Sequence, residues 1–236
     1  IIKKKGFTLY ILKYLIMGKL TLKYLNIYTI NMIMFSIIFI NTYIFSSFFC
    51  FIADYYFPKT RIYPLHKQKI IKNYKQILPC VLINLCISYP IFDIANIYYN
   101  TIETNKLNPI INIFLWLCIS DLIFYNVHRL LHTKQLYFIH SIHHEYRYTH
   151  GIGAIYAHPI EFVLNNIVAL VLPIYFIGIP LYQGYLIMVF STFYTVVISH
   201  GGFIKDQDHL IHHQKYKYNY GLFIMDNVFR TNYNIK

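Results

Sequence analysis

The sequence predicts an all-α fold: an integral-membrane helical bundle with a histidine-rich helical cap facing the cytosol. Three observations lead there. Only 13% of the 236 residues are charged and 57% are hydrophobic, against roughly 25% and 45–50% in soluble domains. Apolar runs alternate with polar stretches, and several reach the roughly 20 residues that a membrane-crossing helix needs. Eleven of the twelve histidines fall between His128 and His213, at spacings that share helix faces.

The elements follow in order. Lys3, Lys4 and Lys5 precede an apolar stretch as a signal-peptide n-region would, but no small-residue cleavage site follows; Met17 is an alternative start. Tyr28 to Ile52 is interrupted only by Asn, Thr and Ser, and reads as a first span. Ile77 to Tyr98 is a second, crossed by Pro79, Pro90 and Asp93. Pro109 opens a third, Ile110 to Val127, with Asp121 near its far end. Phe162 to Ser199 is long enough for two passes or a re-entrant hairpin, turning between Gly178 and Gly184.

The charge of +12 is placed for topology. Twelve of the 21 Lys and Arg lie in residues 1–27 and 58–76, beside apolar segments. Cations cluster this way on the cytosolic side and at anionic headgroups, so the partner they imply is a membrane and not nucleic acid. With residues 58–76 cytosolic, two passes return the chain to the cytosol at His128, and a further hairpin returns it there at His200. Every histidine cluster then shares one membrane face. Cys50, Cys80, Cys86 and Cys118 sit in apolar runs without a CxxC pair, which reads as buried thiols.

The histidines form three boxes. His128 and His132 are spaced i, i+4, so both rings project from one helix face. His140, His143 and His144 follow as HxxHH, and His209, His212 and His213 repeat that pattern. Eight imidazoles at a hydrophobic–aqueous boundary are poor core filler, because each needs a partner when buried. Repeated helical spacing is what a metal site requires. One zinc takes about four ligands, so this number fits two metals. Imidazole suits iron, and two iron ions acting with O2 beside a lipid-soluble substrate match a neutral, nitrogen-only donor set. Ligating imidazoles commonly hand their other N–H to a carboxylate or carbonyl. Asp121, two turns before His128, and Glu161 are the acids expected to orient them; Glu145 and Asp206 read as solvated. Asn219, Tyr220 and Gly221 read as a turn after the last box, with Gly221 supplying a positive φ.

HRLLH (128–132), LYFIHSIHHE (136–145), YAHPIEF (156–162) and HLIHH (209–213) with NYG (219–221) together resemble the sterol desaturase/fatty acid hydroxylase superfamily of membrane di-iron oxygenases. YAHPIE looks most like its C-4 methylsterol oxidase branch. The resemblance implies anchoring helices in residues 1–109 and a hydroxylase-type di-iron domain in 110–236. It implies an endoplasmic-reticulum enzyme that oxidises a sterol or fatty-acyl lipid with O2, using electrons from NAD(P)H through cytochrome b5 and its reductase. It implies metal ligation by His128, His132, His140, His143, His144, His209, His212 and His213. His200 matches a further ligand position, and His158 a possible ligand or supporting residue; His150 reads as a loop histidine.

The chain departs from the family in three places. Only eight residues separate His200 from His209, the tail reads MDNVFRT, and Gly153 stands where the methylsterol branch has an acid. Two alternatives use the same histidines: a non-catalytic membrane metal-binding or transport protein, and a degenerate family member. A transporter calls for polar or ionisable residues mid-span, and residues 162–199 carry none that are charged.

Overall fold

A computed structural model of the protein describes residues 34–99 (without the side chains of 97 and 98), 102–204, 208–222 and 224–233. The lysines before residue 27, the alternative start at Met17, the opening of the first span and Asp206 lie outside the described residues. Those described form helices and turns, with no strand among them.

Five helices are long and apolar enough to span a bilayer: α1 Met34–Tyr56, α2 Lys67–Tyr99, α3 Pro109–Leu131, α4 Pro159–Ile177 and α5 Leu181–Ser199. Two shorter helices follow, α6 Asp208–Lys215 and α7 Met225–Val228. The chain is an integral membrane protein by the character of these helices. Their outer faces stay apolar, with Phe176 82%, Ile110 75% and Phe45 71% exposed. Such a surface has no place in water and is matched by lipid.

Local chemistry sets the boundaries. Asn108 caps α3, its side-chain oxygen accepting from the Ile110 N–H at 2.9 Å, with Pro109 in the first turn. The stretch 162–199 is two helices joined by a tight turn. Gly178 ends α4 at φ +71°, and Ile179 N–H donates back to Ile174 O at 2.9 Å. Pro180 then opens the next helix. Gly184 lies inside α5, so the turn is tighter than the sequence indicated. α2 runs through Pro79 and Pro90 without ending.

The helices share one core. Phe39 of α1 meets Phe92 of α2 with ring centroids 5.1 Å apart and Phe162 of α4 at 6.4 Å. Trp116 of α3 donates its indole N–H to Leu170 O of α4 at 2.9 Å. Polar side chains within the spans carry structural loads. Asn84 of α2 donates to Ile155 O and Ala157 O, and Tyr43 of α1 to Ile152 O. These bonds fix the segment before α4. Two π-helical stretches, Phe162–Ile167 in α4 and Tyr194–Ser199 in α5, interrupt the regular ladder. Such turns often mark functional positions.

Candidate metal centre

α3 carries His128 and His132 on one face, as the i, i+4 spacing requires. A helical turn over Tyr137–His140 presents His140, and a following turn over His143–Glu145 presents His143 and His144. His200 stands at the C-terminal end of α5, and α6 carries His209, His212 and His213. These residues gather on one side of the bundle into two groups. The first is His128, His132, His140, His144 and His212; the second is His143, His200, His209 and His213. Within each group the possible ligand atoms all lie within 4.8 Å of one another. All but His132 are buried.

The rings meet through Nε2. In the first group the Nε2 atoms of His128 and His140 are 3.0 Å apart, those of His132 and His212 3.0 Å, and those of His144 and His212 3.1 Å. In the second, His209 Nε2 lies 3.0 Å from that of His200, 3.3 Å from that of His143 and 3.2 Å from that of His213. An octahedron with metal–nitrogen bonds of about 2.1 Å has edges of about 3.0 Å, and a tetrahedron about 3.4 Å. The observed separations are those of ligands around an ion.

The opposite nitrogens fix the proton. His128 Nδ1 faces Tyr220 O at 2.7 Å, His143 Nδ1 faces Tyr156 O at 3.1 Å, His200 Nδ1 faces Thr195 O at 2.8 Å and His212 Nδ1 faces Tyr218 O at 2.6 Å. His140 Nδ1 faces Glu161 Oε1 at 2.6 Å. A carbonyl only accepts, so Nδ1 holds the hydrogen and Nε2 keeps a bare lone pair. Two such lone pairs 3.0 Å apart repel unless a cation lies between them. Burial keeps the rings neutral. It lowers His132 and His143 to about 4, and His200 and His212 to about 3, with neighbouring imidazoles adding to the effect at His132, His200 and His212. His209 and His213 are lowered for the same reasons, burial first. The donor set therefore fits two metal ions.

Nine of the ten histidines read as possible ligands come together. His158 stands in neither group: it caps α4, its Nδ1 accepting from the Ile160 N–H at 3.2 Å. The short segment after His200 still brings His200 and His209 into the same group. Glu161 orients an imidazole directly. Asp121 works one step away, accepting from the backbone N–H groups of Leu222, Ile224 and Met225 at 2.5–2.9 Å. It thereby steadies the loop whose Tyr220 carbonyl takes His128. Asp226 supports the same loop through the N–H groups of Tyr220 and Gly221. The positive φ of this turn lies at Asn219 (+58°), not at Gly221. Gly221 is needed for space, since a Cβ there would sit 2.8 Å from Asp121 Oδ1.

Sequence reading missed a buried network behind the second group. His150 is not a free loop histidine: it is 1% exposed, with Nδ1 on Asp54 Oδ2 at 3.2 Å and Nε2 on Asn73 at 2.8 Å. Asp54 pairs with Arg61, which donates to Thr149 O at 2.5 Å and Gly201 O at 3.2 Å. Gly202, at φ +75°, lets the chain pass Arg61, where a Cβ would meet Nη2 at 2.7 Å. One acid inside an apolar helix was the available signal.

A largely apolar cavity lies between the helices and reaches the histidines. His128 and His140 of one group and His143, His200 and His209 of the other are on its lining.

Comparison with known proteins agrees with this arrangement. The profile of the fatty acid hydroxylase family matches residues 113–231, half of the chain. A fatty acid hydroxylase of Mycosarcoma maydis is 28% identical over 72% of this chain and 49% of its own length. A very-long-chain aldehyde decarbonylase of Oryza sativa is 29% identical over 60% of this chain and 56% of its own. A methylsterol monooxygenase of Arabidopsis thaliana is 44% identical over a shorter stretch, 26% of this chain and 23% of its own. The chain thus spans about half the length of the first two relatives. No solved structure matches it. From the profile match across the histidine boxes, the chain belongs to the fatty acid hydroxylase family.

Proposed function

We propose that the protein is a membrane di-iron oxidoreductase that hydroxylates, demethylates or desaturates a sterol or fatty-acyl lipid. Its site faces the cytosol of the endoplasmic reticulum, and electrons come from NAD(P)H through cytochrome b5 and its reductase. The observation that carries this reading is that both histidine groups contribute to the lining of one largely apolar cavity. A transport role calls for a polar route, whereas these imidazoles face a largely apolar space.

The two groups would each hold one iron, and bound iron supplies the dioxygen chemistry that side chains cannot perform. The chain's own residues do the rest. Carbonyls of Tyr156, Thr195, Tyr218 and Tyr220 and the Glu161 carboxyl hold Nδ1 protonated, so Nε2 lone pairs point inward. Phe39, Phe92, Phe124 and Phe162 line the cavity and exclude water from the lipid chain. In hydroxylation, one oxygen atom of O2 enters the C–H bond and the other leaves as water, with two electrons and two protons from the donor chain. The names of the relatives point to the same substrates, being a fatty acid hydroxylase, an aldehyde decarbonylase and a methylsterol monooxygenase.

The test is product analysis with ferrous-loaded protein, cytochrome b5, reductase, NADPH and labelled dioxygen, on lipids that accumulate in cells lacking the protein. An oxidised lipid is expected, labelled if an oxygen atom is inserted and unlabelled if an alkene forms, and absent with His143→Ala. Turnover that survives both His143→Ala and His212→Ala overturns the reading.

A further inference from the structure

The cavity beneath the histidines is apolar but not uniformly so. Asn165 of α4 and Thr192 of α5 both line it, 3% and 6% exposed. Among the described residues, Asn165 Oδ1 and Thr192 Oγ1 have no hydrogen-bond partner. A buried polar atom left unsatisfied costs about 1–3 kcal/mol; Glu161 Oε2, beside the imidazoles, is a third such atom on the lining, and the pair away from it calls for a ligand that supplies the missing bonds. Their positions are specific. Asn165 lies within the π-helical stretch of α4, four residues or about 6 Å of helix beyond Glu161. Thr192 lies eight residues, about 12 Å of helix, before His200. Both therefore stand one to two turns deeper than the imidazoles.

Resting on the lipid-oxidising reading, we propose that Asn165 and Thr192 form a subsite for a hydroxyl group, so that the substrate is an uncharged lipid alcohol and not a free fatty acid. A hydroxyl satisfies either residue, donating to Asn165 Oδ1 and accepting from the Thr192 O–H. An ionised carboxylate cannot donate to Asn165. Neither Lys nor Arg lines the cavity among the described residues, and its one acid is Glu161. A carboxylate would be desolvated there with no Lys or Arg to pair it, which is costly.

Trp116 is the one tryptophan of the sequence and lines the same cavity, so its fluorescence reports occupancy. The full chain in detergent is titrated with hexadecanol, hexadecane and palmitate, and with cholesterol against cholestane. Binding needs neither turnover nor O2, so a chain that binds alcohols without oxidising them sinks the functional reading and leaves this one standing. At least one alcohol is expected to bind roughly tenfold more tightly than its hydrocarbon, about the value of one hydrogen bond, and hexadecanol more tightly than palmitate. Thr192→Val, close to isosteric, and Asn165→Leu are each expected to reduce the alcohol preference to within about twofold. Should Asn165→Leu not fold, Thr192→Val alone decides. Equal binding of alcohol and hydrocarbon in both pairs, tighter binding of palmitate, or a preference unchanged in the folded variants overturns the proposal.

Discussion

The two histidine groups come from interleaved boxes but are held in place by different means. In the five-histidine group, His140 leans on a buried carboxyl, Glu161, while His128 and His212 lean on carbonyls of the C-terminal loop. In the four-histidine group, His143 and His200 lean on backbone carbonyls, and the buried Asp54–Arg61 pair ties down the chain beside them at Thr149 and Gly201. A carboxyl tunes the basicity of one ring, whereas a buried guanidinium fixes the path of the backbone. The first group is therefore sensitive to electrostatics at α4, and the second to the integrity of α1.

The largest effect expected from that contrast is at Arg61. Arg61→Met leaves Asp54 buried without its cation, which costs about 3–5 kcal/mol. A lower unfolding temperature in detergent and weaker metal retention by the second group are expected; a wild-type melting curve would break the comparison. Glu161→Gln is expected to weaken metal binding in the first group by about 10–100-fold and leave the second unchanged, as followed by competitive chelation. Equal losses in both groups would mean that they act as one unit.

Acid gives a smaller, graded effect. An unfolded histidine takes up its proton near 6.5, whereas burial holds His132 and His143 at about 4 and His200 and His212 at about 3. Between those values the unfolded chain binds more protons than the folded one, so stability rises with pH across the window. Metal-free protein should therefore melt at progressively lower temperature from about pH 6.5 down to pH 4, and be level above that range. Asp121→Asn is a milder change: it keeps one accepting oxygen but turns an NH2 toward the N–H of Leu222 or those of Ile224 and Met225, costing about 1–3 kcal/mol. The same melting assay checks it, and a loss as large as that of Arg61→Met would show the C-terminal loop to be as critical as α1.

Much of this was legible in the sequence because periodicity is a geometric signal. HRLLH and the last HxxHH box dictate which rings share a helix, whereas the first HxxHH box is split over two successive turns; the apolar runs with their glycine and proline breaks dictate the spans. The assignment of each ring to one group or the other was not legible, since neighbours such as His143 and His144 part company. Nor were the acceptors, because backbone carbonyls such as Tyr218 O leave no mark on residue identity. His158, outside the boxes and named from the resemblance, caps a helix. His150 carried no box, and its importance lies in Asp54, nearly a hundred residues earlier in the chain.

Iron content per chain, after anaerobic loading and removal of loosely held metal, tests the two-ion account most directly. The account predicts two ions in the wild type, and one each in His132→Ala, from the first group, and His200→Ala, from the second. A wild-type value of one or none, or two ions retained in both variants, would contradict it.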